Sequence, residues 1–284
     1  DAELVMASDP DADRVGAAVK NNEGEWVLLN GNQTALMFVY YLITRWKELG
    51  KINGKEYIVK TIVTTETIKT IAERNGVEMY DVYTGFKWIA NVMRENEGKK
   101  NYIGGGEESY GFLCEDFVRD KDAVSACVIL AEIAAWAKDQ GLSLYQLLQK
   151  IYVEYGFSKE KGISVVKKGK SGAEEIEAMM KKFRENPLTE IAGSKVTYFY
   201  DYSTLKGKDY AENETVTLDM PTTSNVLQYF TEDNTKVSIR PSGTEPKIKF
   251  YCEVHSKVKS IDELPEAEKA AEEKINQIKA SLGI

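Results

Sequence analysis

The sequence predicts an α/β fold in two parts, a mixed-sheet α/β domain followed by an α+β domain. Two patterns along the chain predict it. In residues 31–156, runs rich in β-branched side chains alternate with segments whose apolar residues recur at helical spacing, which is typical of a layered α/β domain. In residues 157–284, strand-like runs stand together and are flanked by helices, which is typical of an α+β domain. We place the boundary between the two parts near Gly156.

The apolar pattern predicts the elements of the first part. Residues 1–30 contain a strand that we expect to be buried, followed by a hairpin that turns at residues 21–24. The next segment has helical spacing, with Asn32 as the expected N-cap and Gly50 as the stop. The remaining predicted elements are strand 57–63, helix 66–74, strand 77–83, helix 87–96, strand 102–103, a glycine-rich loop, helix 121–138 and a helix from Ser143 to about Gly156.

The second part is predicted in the same way. An amphipathic helix near its start is ended by Pro187, because proline cannot continue a helix. A charged helix closes the chain. The predicted elements are strand 162–168, helix 173–185, strands 195–202, 214–220, 226–230, 236–240 and 247–255, and helix 264–282.

Composition and charge exclude several classes of protein. The chain has 284 residues, of which 43% are hydrophobic and 29% charged, as in an ordinary globular protein. Its formal charge of -8, from 37 basic and 45 acidic residues, argues against nucleic acid or an anionic membrane as the main partner. The most apolar helix-like stretch, residues 123–137, contains Glu132 and is shorter than the roughly 20 residues that a membrane span needs.

Cysteine and histidine usage narrows the chemistry further. The three cysteines form no C-x-x-C pair and no closed disulfide framework, so we expect a location in the reducing cytoplasm. The only histidine is His255, which excludes any metal site with two histidine ligands. We expect it to be a surface or edge residue.

The first motif with chemical potential is the acidic run Asp9-Pro10-Asp11-Ala12-Asp13-Arg14. Carboxylates at positions i, i+2 and i+4 of a loop can converge on one hard cation. An EF-hand is excluded, because Arg14 and Lys20 stand where that loop requires glycine and glutamate. An arginine beside the carboxylates suggests a phosphoryl group shared with Mg²⁺. The alternative is a solvated acidic turn.

Two loops could bind a phosphorylated sugar. Residues 104–111 (GGGEESYG) follow a short strand, where α/β folds place ligands, and their Glu and Ser could hold sugar hydroxyls. Residues 240–247 (RPSGTEPK) combine an arginine fork, two hydroxyls and a glycine whose backbone can form an anion nest. The alternatives are a turn closed by local hydrogen bonds and a simple hairpin connection.

These three motifs, in this order and at these distances, resemble those of the α-D-phosphohexomutase superfamily, whose members include phosphoglucomutases and phosphomannomutases. Two further segments add to the resemblance. Thr84-Gly85-Phe86-Lys87 is similar to a loop that helps to set substrate orientation, and Arg119-Asp120-Lys121-Asp122 is similar to a segment that supplies a lysine to the active site. The sequence Glu-Glu-Ser-Tyr-Gly is more similar to the corresponding loop of phosphoglucomutases than to that of phosphomannomutases.

The resemblance implies an architecture, a reaction and a role for each motif. Residues 1–30 would be the remnant of a second domain with the metal loop, 31–156 a third, sugar-binding α/β domain, and 157–284 a fourth, TBP-like α+β domain that binds phosphate. A phosphoserine would transfer its phosphoryl group to a hexose monophosphate and recover one from the bisphosphorylated intermediate. The implied site residues are Asp9, Asp11 and Asp13 for Mg²⁺, Arg14 and Lys121 for catalysis, and Thr84, Gly85, Lys87, Glu107, Ser109, Arg240, Ser242, Gly243 and Thr244 for the substrate.

The superfamily implies partners as well. We expect a phosphosugar substrate, an activator of the glucose 1,6-bisphosphate type, no nucleic acid, no membrane, and a monomer when full length. One departure matters: no Thr-Ala-Ser-His-Asn-Pro-like phosphoserine loop occurs in the sequence. We therefore expect a C-terminal fragment that is inactive alone. The alternatives are a phosphopentomutase or glucose-1,6-bisphosphate synthase of the same superfamily, a non-catalytic phosphosugar-binding module, and a Ca²⁺-stabilised structural protein.

Overall fold

Strands and helices alternate in the first half of the chain, whereas strands are grouped in the second half. The computed structural model of the protein describes residues 2–167, 169–243 and 245–284. They divide into two units, one running to Gly156 with Val258–Ile261 added, the other comprising Phe157–Lys257 and Asp262–Ile284. The predicted fold class, an α/β part followed by an α+β part, is confirmed. No helix in the described ranges is long and apolar enough to cross a bilayer.

The first unit contains two sheets. Its elements are β1 (Leu4–Ser8), β2 (Val15–Lys20), β3 (Trp26–Leu29), α1 (Gly31–Glu48), β4 (Glu56–Thr61), α2 (Thr67–Arg74), β5 (Glu78–Val82), α3 (Phe86–Asn96), β6 (Asn101–Gly106), β7 (Phe112–Cys114), α4 (Ala123–Asp139) and α5 (Leu144–Tyr155). Strands β1, β2 and β3 form an antiparallel sheet in that order. The second sheet has the order β5-β4-β6-β7, with β4 parallel to β5 and β6 and with β7 antiparallel. The expectation that the first strand is buried is wrong, because β1 lies at a sheet edge and Val5 is 48% exposed.

Helix α1 begins two residues earlier than predicted. Asn30, not Asn32, is the N-cap: its side chain accepts from the Gln33 amide at 2.8 Å, and the Gln33 side chain accepts from the Asn30 amide at 3.0 Å. This reciprocal pair is a capping box, in which two otherwise unpaired donors are satisfied. Asn32 instead accepts from the Thr65 amide at 3.0 Å. Gly50 ends the helix as predicted, with a positive φ of 65°.

The predicted glycine-rich loop is partly wrong, because its first three glycines belong to strand β6. They are glycines for steric reasons. A Cβ on Gly105 would collide with the carbonyl oxygen of Val59, and one on Gly106 would come within 2.5 Å of the Phe112 ring. Phe112 in turn stacks on Phe38 of α1, with ring centroids 4.6 Å apart. The loop proper is therefore short and begins at the end of a buried strand.

The second unit is an antiparallel sheet with two helices. Its elements are β8 (Phe157–Val166), α6 (Gly169–Glu185), β9 (Glu190–Ile191), β10 (Ser194–Asp201), β11 (Lys206–Asp209), β12 (Glu214–Thr217), β13 (Leu227–Thr231), β14 (Lys236–Pro241), β15 (Lys247–Ser256) and α7 (Leu264–Leu282). The sheet order is β12-β11-β10-β13-β14-β15-β8, and β9 pairs with β10. Helix α7 packs against β15 and β8. Strands β9 and β11 were not predicted: β9 has only two residues, and β11 (KGKD) consists of charged residues and glycine without a β-branched or aromatic side chain.

One face of this sheet carries a buried charged group. Lys236 and Glu253 are partners across β14 and β15, 2% and 4% exposed, with Nζ 2.9 Å from a carboxylate oxygen. His255 lies 2.7 Å from the same carboxylate and is 20% exposed, so the expectation of a surface or edge histidine is wrong. Burial would lower the pKa of His255, but the Glu253 carboxylate outweighs it and raises that pKa.

This pairing predicts a pH-dependent stability. Because the pKa of His255 is higher in the folded state than its ordinary value of about 6.5, the pair stabilises fully below that pH and the contribution is lost as the pH rises through the folded value. We expect the Tm of the protein to fall between pH 6 and pH 8, and to fall less in His255→Gln. The measurement is thermal unfolding by circular dichroism at fixed ionic strength. Parallel pH profiles of the two proteins would contradict the assignment.

Candidate active site

The acidic run forms the tight connection between β1 and β2. Asp9 accepts from the backbone amides of Asp13 and Arg14, each at 3.1 Å, and Ala12 takes a left-handed conformation with φ of 53°. Burial pushes the pKa of Asp9 upward, but these two amides and the Arg14 guanidinium outweigh it and hold the pKa below its usual value. Asp9 is therefore an ionised carboxylate that shapes the loop.

Asp13 is the residue of this loop with an unused acceptor. One of its oxygens lies 2.7 Å from the Lys121 ammonium. The other, Oδ1, is buried and accepts no hydrogen bond from the described residues; Arg14 Nε lies 3.7 Å from it. A buried carboxylate oxygen without a donor is costly unless a cation or a ligand completes it. The loop thus offers a place for a hard cation.

The predicted three-carboxylate cluster is not assembled in this conformation. Asp11 is exposed, and within the described ranges no group of three or more His, Cys, Asp or Glu side chains is arranged to hold a metal ion. Carboxylate oxygens are the donors that Mg²⁺ prefers, and Mg²⁺ usually takes only one or two of them beside water and substrate oxygens. Asp9 and Asp13 therefore fit Mg²⁺ by chemistry, and Asp11 remains a predicted ligand.

The predicted sugar loop connects β6 to β7. The Glu107 amide donates to the Gly111 carbonyl at 2.8 Å, which closes the loop. The Glu107 side chain is 6% exposed and accepts from the Gly85 amide at 2.6 Å. Ser109 is half-buried at the tip. One hydrogen bond thus joins the sugar loop to the Thr84–Lys87 loop.

The Thr84–Lys87 loop starts helix α3. Gly85 has a φ of 110° and stands at the N-cap position, a conformation that favours glycine. Thr84 is half-buried, and Lys87 is exposed with its ammonium 5.0 Å from the centre of the Trp88 ring. The turn therefore presents the Gly85 amide to Glu107 and leaves Lys87 accessible to a ligand.

Backbone contacts bring the acidic loop, the sugar loop and Lys121 together. Arg14 and Gly111 form an isolated antiparallel bridge, and the Val15 amide donates to the Tyr110 carbonyl at 3.1 Å. The Ala123 amide, at the start of α4, donates to the Ala12 carbonyl at 3.1 Å. Four of the five predicted motifs therefore meet in the first unit.

Lys121 lies where the acidic loop and the sugar loop meet. A Cβ on Gly111 would lie 2.6 Å from Lys121 Cδ, so the glycine makes room for the lysine stem. The ammonium contacts Asp13 at 2.7 Å and Asp120 at 3.3 Å. Burial would lower the pKa of Lys121, but the two carboxylates outweigh it and raise that pKa. Lys121 is a fixed cation.

The predicted phosphate loop joins β14 to β15 in the second unit. The Ser242 amide donates to the Lys247 carbonyl at 2.8 Å, and Ser242 Oγ accepts from the Glu245 amide at 3.4 Å. Lys247 pairs with Glu245 and lowers the pKa of that carboxyl. Arg240 is half-buried at the end of β14 and Gly243 is exposed, while Thr244 lies outside the described residues.

A cavity of about 600 Å³ lies beside this loop, within the second unit. Helix α6 contributes Ile176, Met180 and Arg184 to its wall, and the loop contributes Pro241 and Ser242. The phosphate loop thus borders a space large enough for a small ligand.

The sequence analysis did not identify the buried threonines that lie against the sugar loop. Glu108 accepts from the Thr61 hydroxyl at 3.3 Å, and the Thr61 and Thr64 hydroxyls lie 2.8 Å apart. Both threonines are fully buried. The available signal was a run of threonines directly after a buried parallel strand, where α/β folds gather functional groups.

Comparison with known families agrees with this geometry. Residues 30–155 match the α/β/α domain III of phosphoglucomutase/phosphomannomutase, and residues 164–271 match the C-terminal domain of the same family. The two matches cover most of the chain. The chain therefore belongs to the phosphoglucomutase/phosphomannomutase family, and the predicted resemblance to that family is confirmed.

Individual relatives point the same way. The chain is 38% identical over 250 residues to a phosphoglucomutase of Staphylococcus aureus strain MRSA252, and 34% identical over 255 residues to one of Staphylococcus haemolyticus. These matches cover 88% and 90% of the chain but only 44% and 45% of the relatives, so the chain spans about half the length of the curated relatives it matches.

Solved structures support the fold. A phosphoglucomutase/phosphomannomutase family protein of Burkholderia thailandensis aligns with a TM-score of 0.59 at 17% identity, over 99% of this chain and 47% of that one. The open form of parafusin from Paramecium, a phosphoglucomutase, aligns with a TM-score of 0.58 at 18% identity, over 91% and 41%.

Proposed function

We propose that the chain supplies the metal-, sugar- and phosphate-binding half of a Mg²⁺-dependent phosphohexomutase, which interconverts hexose 1-phosphate and hexose 6-phosphate through a phosphoserine and a bisphosphorylated intermediate. The observation that carries the proposal is the meeting of the acidic loop, the sugar loop, the Thr84–Lys87 loop and Lys121 in one unit. The names of the relatives favour glucose as the sugar.

The acidic loop would neutralise the transferring phosphoryl group. Mg²⁺, held by Asp9, Asp11 and Asp13, would supply charge neutralisation at that group. Arg14 is anchored by its backbone bridge to Gly111, while its side chain is half exposed. Its guanidinium can therefore steady phosphoryl oxygens as the charge develops.

Lys121 would act by charge. Its ammonium is held beside the acidic loop by contacts with Asp13 at 2.7 Å and Asp120 at 3.3 Å. An ammonium fixed beside the acidic loop can contact a phosphate oxygen without any change in protonation.

The sugar loop would orient the substrate. One oxygen of Glu107 is held by the Gly85 amide, so the carboxylate is fixed and its second oxygen can accept from a ring hydroxyl. Ser109 can donate to or accept from a second hydroxyl. Fixing two hydroxyls sets which end of the sugar meets the phosphoryl group.

The phosphate loop would grip the phosphate that is not reacting. Arg240 offers a bidentate fork, and Ser242, Gly243 and Thr244 add hydroxyl and backbone donors. The proposal also includes a glucose 1,6-bisphosphate-type activator, a monomeric full-length enzyme and a cytoplasmic location.

The chain alone should not interconvert glucose 1-phosphate and glucose 6-phosphate, because its sequence contains no phosphoserine loop to carry the phosphoryl group. The test is a coupled assay with glucose-6-phosphate dehydrogenase, with Mg²⁺ and glucose 1,6-bisphosphate supplied. Measurable turnover by the purified chain would contradict the proposal that the chain supplies only one half of the enzyme.

A chimera separates this proposal from a non-catalytic phosphosugar-binding module. This chain would replace the aligned part of the S. aureus phosphoglucomutase, which is 38% identical to it. Restored turnover supports the enzyme half, whereas a folded chimera that binds glucose 1-phosphate without turnover supports the binding module. A panel of glucose, mannose and pentose phosphates would identify the sugar.

Arg240→Ala in that chimera tests the phosphate loop. A hydrogen bond to a charged group contributes about 1.5–3 kcal/mol, so we expect kcat/KM to fall about 10- to 100-fold, with KM raised. Arg94→Ala is the matched control, because Arg94 is exposed on helix α3 in the first unit and bonds to Asn91 of the same helix. Equal kinetics of Arg240→Ala and the parent chimera would exclude Arg240 from the phosphate site.

Asp11→Asn tests the metal loop. Removing one anionic ligand should raise the Mg²⁺ concentration needed for half-maximal activity of the chimera about tenfold. Asp139→Asn, an exposed acidic residue at the end of α4, is the control. Identical Mg²⁺ titrations for Asp11→Asn and its control would remove Asp11 from the ligand set.

A further inference from the structure

The first residue of helix α1, Gly31, lies directly against the backbone of the sugar loop. A Cβ added to Gly31 would overlap the carbonyl oxygen of Glu108 and would come within 2.7 Å of the Glu108 carbonyl carbon and the Tyr110 amide nitrogen. All three are backbone atoms, so no side-chain rotation can relieve the overlap. Only a hydrogen at this position lets the loop reach its observed place.

The loop has little freedom to move away. The Glu108 side chain is tied to Thr61, and the Tyr110 carbonyl accepts from the Val15 amide. Tyr110 itself has a φ of 72°, a left-handed conformation that is unfavourable for a tyrosine and is kept by its surroundings. A push at Glu108 would therefore be transmitted to both ends of the loop, where Glu107 and Gly111 make their contacts.

Gly31 is also fixed from its own side. It follows Asn30, whose capping box with Gln33 sets the start of α1, and the adjacent Asn32 holds the Thr65 amide. The helix end cannot withdraw without breaking these bonds. The contact between helix and loop is thus a meeting of two anchored backbones.

We propose that Gly31 is a positioning residue that sets the place of the sugar loop and, through it, the place of Glu107 and Ser109. The effect on substrate rests on the function proposed for the loop, whereas the placement of the loop does not. Gly31 shares no motif with the loop and is 76 residues from Glu107 in the sequence, so the connection exists only in the fold.

The sign of the expected effect makes the test sharp. Alanine is a better helix former than glycine, so Gly31→Ala should stabilise the protein if helix propensity alone mattered. The overlap with the loop predicts the opposite. Gly16→Ala is the matched control in the same unit, because a Cβ there would meet only the Ala7 carbonyl oxygen, at an ordinary 3.9 Å.

The experiment is hydrogen exchange measured by mass spectrometry on the full 284-residue chain. In Gly31→Ala we expect exchange at least about tenfold faster at the amides that bond to or within the loop, those of Val15, Gly85 and Glu107. Exchange in the middle of α1 and in β4 should be unchanged, as should the whole profile of Gly16→Ala. A lower Tm for Gly31→Ala with a normal Tm for Gly16→Ala completes the expected result.

Two outcomes would overturn the inference: a folded Gly31→Ala with the parent's exchange at these amides, or faster exchange spread evenly over the first unit. Should Gly31→Ala fail to fold, Tyr110→Gly is added, because glycine at this left-handed position frees the loop to move. A folded double variant with the three amides exposed supports the proposal, and failure of the double variant to fold contradicts it.

The chimera gives the functional readout. There Gly31→Ala should lower kcat/KM by about tenfold or more, because a displaced loop binds the sugar less tightly and holds it in a less reactive orientation. An unchanged kcat/KM would contradict positioning of the sugar. An inactive parent chimera would instead refute the proposed function and leave the exchange experiment to decide the role of Gly31.

Discussion

The backbone bridge between Arg14 and Gly111, with the neighbouring hydrogen bond from Val15 to Tyr110, is the contact on which the site depends. It joins two segments that are almost 100 residues apart in the sequence, the turn after β1 and the loop after β6. Because both partners are backbone, the contact fixes the direction in which the neighbouring side chains leave the chain. The backbone of Arg14 is therefore held beside the sugar loop.

The two carboxylates near this bridge, those of Asp9 and Asp13, differ in how they are paired. Asp9 is used internally, since its carboxylate closes the turn through two amides. Asp13 pairs with Lys121 through one oxygen, while its buried Oδ1 accepts no hydrogen bond from the described residues and lies 3.7 Å from Arg14 Nε. In the proposed function a cation would complete this oxygen, because a buried carboxylate oxygen without a donor is costly.

The sequence was sufficient for the elements whose pattern is long and periodic. Helix α7 begins and ends at the predicted residues, and the charged loops were located by composition alone. It was insufficient where tertiary contacts decide: Gly104–Gly106 resemble a loop by composition, yet packing against Phe112 and Val59 makes them a strand. Likewise, the cap of α1 depends on the spacing between Asn30 and Gln33, and Asn32 was the wrong choice among neighbouring asparagines.

The same limit explains why the contact between Gly31 and the backbone of the sugar loop was not visible in the sequence. Motifs with charged or hydroxyl groups announce a chemistry, but Gly31 contributes only the absence of a side chain. Its role appears when the two backbones are placed together.

A site of this kind has two layers of constraint. Side chains such as Glu107 and Lys121 supply the contacts, and closely packed backbone fixes where those contacts point. In the proposed reaction a sugar bisphosphate must be bound in two opposite orientations. Rigid hydroxyl recognition would then serve both, provided that the loop does not shift between them. The backbone contact between Gly31 and the sugar loop meets that requirement, because it involves no side chain that could change its rotamer.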